Sequence, residues 1–365
     1  MRRSTSGFRV LGLALAACAA WLALSTPALA DTSEPTAAAA GDGKVVGLAF
    51  IGRTVSDLDK SVAFYKALGF SQDPAANPAW RKDEVIEQLY STKGVETRMA
   101  KMFVVNQSSG QRFVVYLREL KGIERKNWSD HTAWEPGATH FGLVVPDANK
   151  LWGELKASGL LRARSWGGEL IAPPGQTKGM LAYITDPDGL DIEIIDQRPA
   201  TPAAEGRPAR PAFVPGVSHV GLMVLDSDKA RGFYETFLGG ELQAKEAPWM
   251  KGDFYDSVVG GHGNILRFYN EAFAFVGANG AKINLELVEF QNRKSPNRPT
   301  RISDIGVGYV GIEVEGLDAM LARAQAAGAK LVSKGIATMR SGTREVMIRD
   351  PDVGGFVLLY EHPKK

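Results

Sequence analysis

Four similar strand segments recur along the chain, and they constrain its fold more than any other feature. Each is an apolar run that leads directly into an amphipathic helical pattern, with apolar residues three and four positions apart. Short strand patterns separated by glycine-rich turns follow, and an apolar strand closes the unit. We therefore predict four βαβββ units, beginning near residues 45, 137, 216 and 305. The segments read AFIGRTVSD (49–57), THFGLVVPD (139–147), SHVGLMVLD (218–226) and GYVGIEVEG (308–316).

The two halves of the chain repeat each other in a fixed register. Phe64-Tyr65 and Phe233-Tyr234 lie at the same offset of 169 residues as Asp57 and Asp226. One unit exposes an apolar sheet face, so the units must pair to bury it. We predict a domain 1 (units 1 and 2) over 45–197, a proline-rich linker over 198–215, and a domain 2 (units 3 and 4) over 216–365.

The N-terminus reads as a signal peptide over residues 1–30. Arginines precede the apolar stretch 10–24, and Ala28-Leu29-Ala30 is a small-x-small cleavage site. A flexible leader over 31–44 follows. We expect an exported protein, periplasmic or secreted, with no transmembrane segment after cleavage. A lipoprotein cleavage at Cys18 is the less favoured alternative.

Composition excludes several kinds of chemistry and partner. The formal net charge is +2 and there is no basic cluster with interleaved aromatic residues, so nucleic acid is not favoured. The single cysteine, Cys18, leaves with the signal peptide. Disulfides, thiolate ligands and a cysteine nucleophile are thereby excluded from the mature chain. We expect a small-molecule ligand and a monomer or weak homodimer.

The repeated pattern resembles the vicinal oxygen chelate superfamily, which includes glyoxalase I, bleomycin resistance proteins and extradiol dioxygenases. The residues that carry the resemblance are TVSDLDKSVAFYKALGF, SHVGLMVLDSDKARGFYETFLGG, DPDGLDIEIID and NLELVEF. The resemblance implies an α+β fold in which paired units form cup-shaped mixed sheets. Metal ligands in that family come from a His on the first strand of a unit and a Glu on its last strand.

The four units differ at those two positions. Alternation along a strand puts Glu193 on one face of an apolar segment, where a carboxylate needs a metal or a large pKa shift. The middle units thus supply His140 with Glu193 and His219 with Glu286. The outer units have Phe50 with Tyr116 and Tyr309 with Val357.

The pairing of units decides whether these residues meet. Pairing 1+2 and 3+4 would give each cup one His and one Glu, which makes a poor metal site. In fused glyoxalase I proteins the pairing resembles a joined domain-swapped dimer, 1 with 4 and 2 with 3. We favour that pairing here, because the 2+3 cup then collects two His and two Glu, and the 1+4 cup has no set of ligands.

Two imidazoles and two carboxylates suit one divalent ion: Ni, Co, Zn, Fe or Mn. The resemblance to glyoxalase I implies an enzyme, a metal-dependent isomerase or lyase. It would act through an enediolate on a small carbonyl or hydroxy-carbonyl compound, with Glu286 and Glu193 as the bases. One alternative is a non-catalytic binding protein of the bleomycin-resistance type. Another is an extradiol-type dioxygenase, although Glu286 fills a position that the His, His, Glu triad leaves without a carboxylate. Candidate substrate-binding residues are Trp249, Phe254, Tyr255 and Arg267.

Overall fold

The computed structural model describes residues 43–74, 79–137, 139–175, 180–200, 212–239, 248–269, 275–276, 282–283, 285–293, 300–351 and 355–364. The predicted signal peptide, nearly all of the predicted leader, and residues 201–211 of the predicted linker lie outside these residues. Within the described part of the chain, no helix is long and apolar enough to span a membrane.

Units 1 and 2 each begin with a strand that an aspartate joins to a helix. Asp57 accepts hydrogen bonds from the backbone N–H groups of Asp59 and Lys60, and Asp147 from that of Lys150. Such an N-cap stabilises a helix by about 1 kcal/mol. The elements are β1 (Lys44–Val55), α1 (Leu58–Ala67), β2 (Ser71–Gln72), β3 (Arg81–Lys82), α2 (Glu84–Leu89), β4 (Glu96–Val105) and β5 (Arg112–Lys121), then β6 (Thr139–Val145), α3 (Ala148–Ala157), β7 (Leu181–Thr185) and β8 (Asp191–Asp196).

Units 3 and 4 repeat this order with one difference at the cap. Asp226 caps its helix in the same way, whereas Gly316 takes its place in unit 4, with φ 74° and no side-chain cap. The elements are β9 (Gly216–Val224), α4 (Ser227–Leu238), β10 (Met250–Lys251), α5 (Asp253–Val259), β11 (Ile265–Tyr269), β12 (Phe275–Val276), β13 (Lys282–Ile283) and β14 (Leu285–Phe290), then β15 (Gly308–Glu315), α6 (Leu317–Ala326), β16 (Lys330–Leu331), β17 (Ala337–Thr338), β18 (Arg344–Arg349) and β19 (Phe356–Glu361).

In the described part of the chain the strands form two large mixed sheets and a separate pair, β12 with β13, and each large sheet joins units from both halves of the chain. One has the order β16-β18-β19-β15-β1-β5-β4-β2 and holds units 4 and 1. The other has the order β10-β11-β14-β9-β6-β8-β7 and holds units 3 and 2. The first strands meet antiparallel at the centre of each sheet, β1 with β15 and β6 with β9. The exchanged pairing, 1 with 4 and 2 with 3, is confirmed.

Three apolar clusters follow from this arrangement. The largest packs the helices against one face of both sheets and contains Phe64, Phe141, Phe233 and Met320. The opposite face of each sheet has its own cluster inside the cup. We call these the 1+4 cup, which contains Phe50, Tyr309 and Leu358, and the 2+3 cup, which contains Tyr183, Met223, Leu266 and Val288.

A buried polar network ties the two sheets together. Arg53 of β1 is 2% exposed, and its guanidinium lies 3.3 Å from Asp186 Oδ1 in the turn before β8. It also donates to the carbonyl oxygens of Gly306 and Asp188. The Tyr65 hydroxyl of α1 donates to the other oxygen of Asp186. The turn of unit 2 is therefore held by side chains of unit 1, although the two units belong to different sheets.

Candidate metal centre

The two histidines of the middle units lie on the central antiparallel pair of the 2+3 cup. His140 on β6 is opposite Gly221, and His219 on β9 is opposite Gly142. Each imidazole ring occupies the space above the facing glycine. A Cβ on Gly221 would overlap the ring of His140, and a Cβ on Gly142 would overlap that of His219. These glycines let both rings approach the centre of the sheet.

The two glutamates come from the strands that flank this pair. In the parallel ladder of β6 and β8, Glu193 is beside Gly142. In the parallel ladder of β9 and β14, Glu286 is beside Gly221. Side chains at paired positions of neighbouring strands point to the same face of a sheet. The register therefore brings both carboxylates to the face that carries the two imidazoles.

Ligand atoms of His140, His219 and Glu286 all lie within 4.8 Å of one another. His140 Nε2 is 3.2 Å from His219 Nε2 and 3.0 Å from Glu286 Oε2. Glu193 is adjacent but outside this group of three, with Oε2 3.4 Å from His219 Nε2. All four side chains are buried.

The polar atoms of the cluster are suited to a cation. Both Glu286 oxygens and Glu193 Oε2 are buried and accept no hydrogen bond from the described residues. Buried carboxylates left in this way are costly unless a positive charge is close. Two imidazole nitrogens and a carboxylate oxygen that converge on one point, with a second carboxylate beside them, are a common donor set for a first-row divalent metal. The residues therefore fit a metal ion.

Protonation favours the same conclusion. Burial lowers the pKa values of His140 and His219 to about 4, so both imidazoles are neutral near pH 7, the form that binds metals. Burial and the charge of the nearby Glu286 raise the pKa of Glu193 to about 8. Burial raises the pKa of Glu286 to about 7. A bound cation would favour the ionised form of both carboxyl groups.

Ser218 selects the tautomer of His219. Its hydroxyl lies 3.2 Å from the carbonyl oxygen of Gly142 and 3.0 Å from His219 Nδ1. A carbonyl can only accept, so the hydroxyl donates to Gly142 and accepts from the Nδ1–H of His219. His219 Nε2, the atom that faces the cluster, therefore carries a lone pair. Such a partner on the far nitrogen of a ligating histidine typically strengthens metal binding.

Comparison with known proteins identifies the family. Two models, each described as Glyoxalase/Bleomycin resistance protein/Dioxygenase superfamily, match residues 47–194 and 218–346. The chain belongs to this superfamily. Its two matched regions are the two sequence halves whose units are exchanged between the sheets.

Three relatives in the superfamily illustrate the similarity. A probable chloroplastic lactoylglutathione lyase of Arabidopsis thaliana is 28% identical over 192 residues, 52% of this chain and 43% of that protein. A second lactoylglutathione lyase of this plant is 29% identical over 202 residues, 54% and 56% of the two chains. The chain thus matches about half the length of these relatives. Glyoxalase I from Zea mays has a TM-score of 0.50 at 19% identity over 88% of this chain and 92% of that chain, which shows a shared fold.

The four residues predicted to bind substrate differ in how close they lie to the 2+3 cup. Phe254 and Tyr255 on α5 pack against the apolar cluster of the 2+3 cup. Arg267 is on the opposite face of β11 from Leu266, where it pairs with Asp228 and Glu289. Trp249 is 38% exposed and lies 4.6 Å below that guanidinium. The structure brings the two α5 aromatics to the cup, and it does not bring Arg267 to the cluster.

In the 1+4 cup each central strand also places a ring over the facing glycine of its partner, but neither His nor Glu occupies these positions. Phe50 is opposite Gly311 and Tyr309 opposite Gly52, and each ring lies over the facing glycine. Tyr116 is beside Gly52, as predicted for the Glu position. Beside Gly311 lies Leu358, so the assignment of Val357 to this position is wrong by one residue. Because side chains alternate, this slip moves the position to the other face of the strand.

The sequence analysis did not identify two features of the candidate metal centre. In all four repeated segments a glycine follows the aromatic or histidine residue by two positions. This spacing could have indicated that each ring packs over a glycine of the partner strand. Tyr183 on β7, paired with Glu193, has its ring 5.5 Å from that of His140. Nothing in the sequence around Tyr183 distinguishes it from a core tyrosine.

Proposed function

We propose that the chain is a metal-dependent isomerase or lyase of the glyoxalase type. The observation that carries this proposal is the group of His140, His219 and Glu286, with Glu193 beside it at the floor of one cup. In the proposal these three residues hold one divalent ion: nickel, cobalt, zinc, iron or manganese. When bound, such an ion is a Lewis acid that polarises a carbonyl oxygen.

Glu193 is the proposed base. It lies next to the ligand group without being part of it, and a carboxylate with a pKa of about 8 is close to the working range of a proton-transfer catalyst. In this proposal it removes a proton from a hydroxyl-bearing carbon next to a carbonyl and returns that proton to the carbonyl carbon, while the hydroxyl proton passes to the former carbonyl oxygen and the hydroxyl carbon becomes the new carbonyl. The net change is an isomerisation in which atoms and electrons balance without an oxidant.

The walls above the floor indicate the kind of substrate. Tyr183, Met223, Leu266 and Val288 form a buried apolar cluster on the cup face of the sheet, and Phe254 and Tyr255 of α5 pack against it. In the proposal these apolar groups exclude water from the reacting atoms and contact an apolar substituent. The proposed substrate is a small compound that carries adjacent oxygen groups on an apolar body.

Glutamine variants of the two glutamates separate binding from chemistry. Glu193→Gln is expected to retain the metal and to lose about 100- to 10,000-fold in kcat, because the amide cannot accept a proton. Glu286→Gln is expected to weaken metal binding, which saturating metal should partly restore. The measurements are metal content by elemental analysis and turnover at increasing metal concentration. The assignment of roles would be reversed if Glu193→Gln lost metal and Glu286→Gln kept it.

Substrate screening tests the function itself. The names of the two plant relatives make the hemithioacetal of methylglyoxal and glutathione the first substrate to assay. Turnover that depends on added nickel or zinc would support the isomerase. Catechol ring opening with ferrous iron would favour a dioxygenase instead. Tight ligand binding that survives chelation, with no turnover of any substrate, would favour a binding protein.

Metal affinity is expected to increase with pH. The carboxyl group of Glu286, with a pKa of about 7, must lose its proton to bind, and the cation also favours ionisation of Glu193 beside it, whose pKa is about 8. From pH 6 to pH 8 we expect affinity to increase roughly 10-fold if Glu286 alone ionises on binding, and more if Glu193 also does. Competition with a fluorescent zinc chelator at pH 6, 7 and 8 measures this.

The metal-free protein should show the opposite dependence. Both carboxyl groups have folded-state pKa values above the ordinary 4.5, so the stability they contribute is present below pH 4.5 and is lost as the pH rises through 7 and 8. At pH 6.5 the two imidazoles are half protonated in the unfolded chain and neutral in the folded protein, so they oppose this slope with a smaller one that fades by about pH 7.5. The Tm in chelator should therefore fall between pH 6.5 and 8.5. A Tm that rises over this range would contradict the ionisation scheme.

A further inference from the structure

A cavity lies at the end of the 1+4 cup, away from the metal centre. Its volume is about 550 Å³, within the range of small-molecule sites. Five parts of the chain converge on it: the residues just after α2, the residues after β5, the loop before β15, strand β16 with the residue that follows it, and the paired ends of β18 and β19. They contribute residues 90–93, 123–124, 300–303, 330–332, 349 and 356.

The floor of this cavity is apolar. Tyr90, Ile302 and Phe356 are buried members of the 1+4 cluster, and Val332 packs against them. Leu331 is also part of the lining and is 43% exposed, one of few large apolar side chains so exposed in the described residues. An apolar floor of this kind gains free energy when it is covered by an apolar ligand body.

The rim of the cavity is positively charged. It carries Lys93, Lys330 and Arg349, together with Arg301, whose charge is already paired with Asp304 at 2.9 Å, against the single acidic lining side chain Glu124. Lys93 and Lys330 are exposed, and neither forms an ion pair with any of the described residues. Burial lowers the pKa of Arg349, so holding that charge at the cavity costs free energy. The excess of positive charge favours an anionic ligand.

The walls are held in place before any ligand arrives. Arg349 donates to the backbone and side-chain oxygens of Thr300, and Arg301 donates to the carbonyl of Glu124. Ser91 has φ 50°, the only positive value at a non-glycine residue in the described part of the chain, and its hydroxyl donates to the carbonyl of Val332. Such a conformation costs free energy, and it recurs at ligand sites.

We propose that this cavity binds a small organic anion with an apolar body, an aromatic carboxylate or phosphate, independently of the metal centre. The apolar body packs against the accessible side chains of Leu331 and Val332 above the buried floor, and the anionic head lies among the rim cations. The site is separate from the proposed activity, since none of His140, His219, Glu193 and Glu286 lines it. The chain would then have a non-catalytic ligand-binding site in the 1+4 cup in addition to the metal centre of the 2+3 cup.

Calorimetric titration of the full chain with three probes of similar shape tests the proposal. The probes are 2-naphthoate, 2-naphthyl phosphate and the neutral 2-naphthamide, each titrated with chelator and with zinc. We expect one of the two anions to bind at least about 10-fold more tightly than the amide, with no change on adding zinc, and more weakly at high salt. The better anion distinguishes a carboxylate site from a phosphate site.

Charge reversal at the rim provides the matched variants. Lys93→Glu/Lys330→Glu changes two exposed side chains and should weaken the better anion about 10- to 100-fold, since each near-surface charge contributes about 1 kcal/mol. Lys66→Glu, at an exposed lysine on α1 outside the cavity, should leave binding unchanged. The proposal is overturned if the amide binds as well as the anions, if no probe binds at millimolar concentration, if the rim variant binds normally, or if His140→Ala abolishes binding.

Discussion

Replacing Gly221 with alanine is expected to remove the metal from the 2+3 cup. The new methyl group would overlap Cε1 and both nitrogens of the His140 ring, so the ring must turn away from His219 and Glu286. One of three clustered ligands is then displaced, and we expect metal affinity to fall by at least about 100-fold, or roughly 3 kcal/mol. Metal per chain, measured by elemental analysis after dialysis, should fall from about one to near zero.

Two alanine variants elsewhere separate this effect from general destabilisation. Gly311→Ala would overlap the Phe50 ring at the equivalent point of the 1+4 cup, so it should destabilise the fold by a comparable amount and leave the metal content intact. Gly153→Ala lies on α3 with nothing within 4 Å of the new Cβ, and should be neutral or slightly stabilising. If Gly221→Ala bound metal as tightly as the parent, His140 would not be a ligand.

Replacing Arg53 with methionine is expected to cost about 3–5 kcal/mol of unfolding free energy, because it leaves the buried Asp186 without its cationic partner. Methionine keeps much of the side-chain volume, so loss of charge and hydrogen bonds dominates. The measurement is urea unfolding followed by circular dichroism, in chelator, so that metal binding does not contribute.

The control for Arg53 is an exposed ion pair of the same signs. Lys150 and Glu154 lie one helical turn apart on α3, and both side chains are more than half exposed. Lys150→Met should change the unfolding free energy by less than about 0.5 kcal/mol. Equal effects of the two substitutions would mean that the Arg53 network does not hold the two sheets together.

The resemblance to the superfamily indicated His140, His219, Glu193 and Glu286 as one set, and alternation along the strands is consistent with their shared face. The strand registers place all four on that face, and their binding of a metal stays a prediction. The units that share a sheet could be inferred only through the resemblance to fused glyoxalase I proteins. The structure confirms that pairing directly in the β1–β15 and β6–β9 ladders.

Other features depended on registers that the sequence does not reveal. Leu358 and Val357 are both apolar, so composition cannot tell which of them faces the cup, whereas the ladder with β15 does. Arg267 faces away from the metal centre because it pairs across the sheet with Glu289, one strand position beyond the cup-facing Val288. The cavity of the 1+4 cup is formed by loops and strand ends from units 1 and 4, and no local sequence pattern predicts it.

The ring over each central glycine has a consequence for how such a chain can change its activity. In both cups the ring fills a fixed space, whether it belongs to histidine, phenylalanine or tyrosine. The steric requirement is thus separate from the ability to bind a cation. A cup can therefore exchange an imidazole for a phenyl or phenol ring and keep its backbone, so that a duplicated architecture retains its shape while its halves diverge to different chemical tasks.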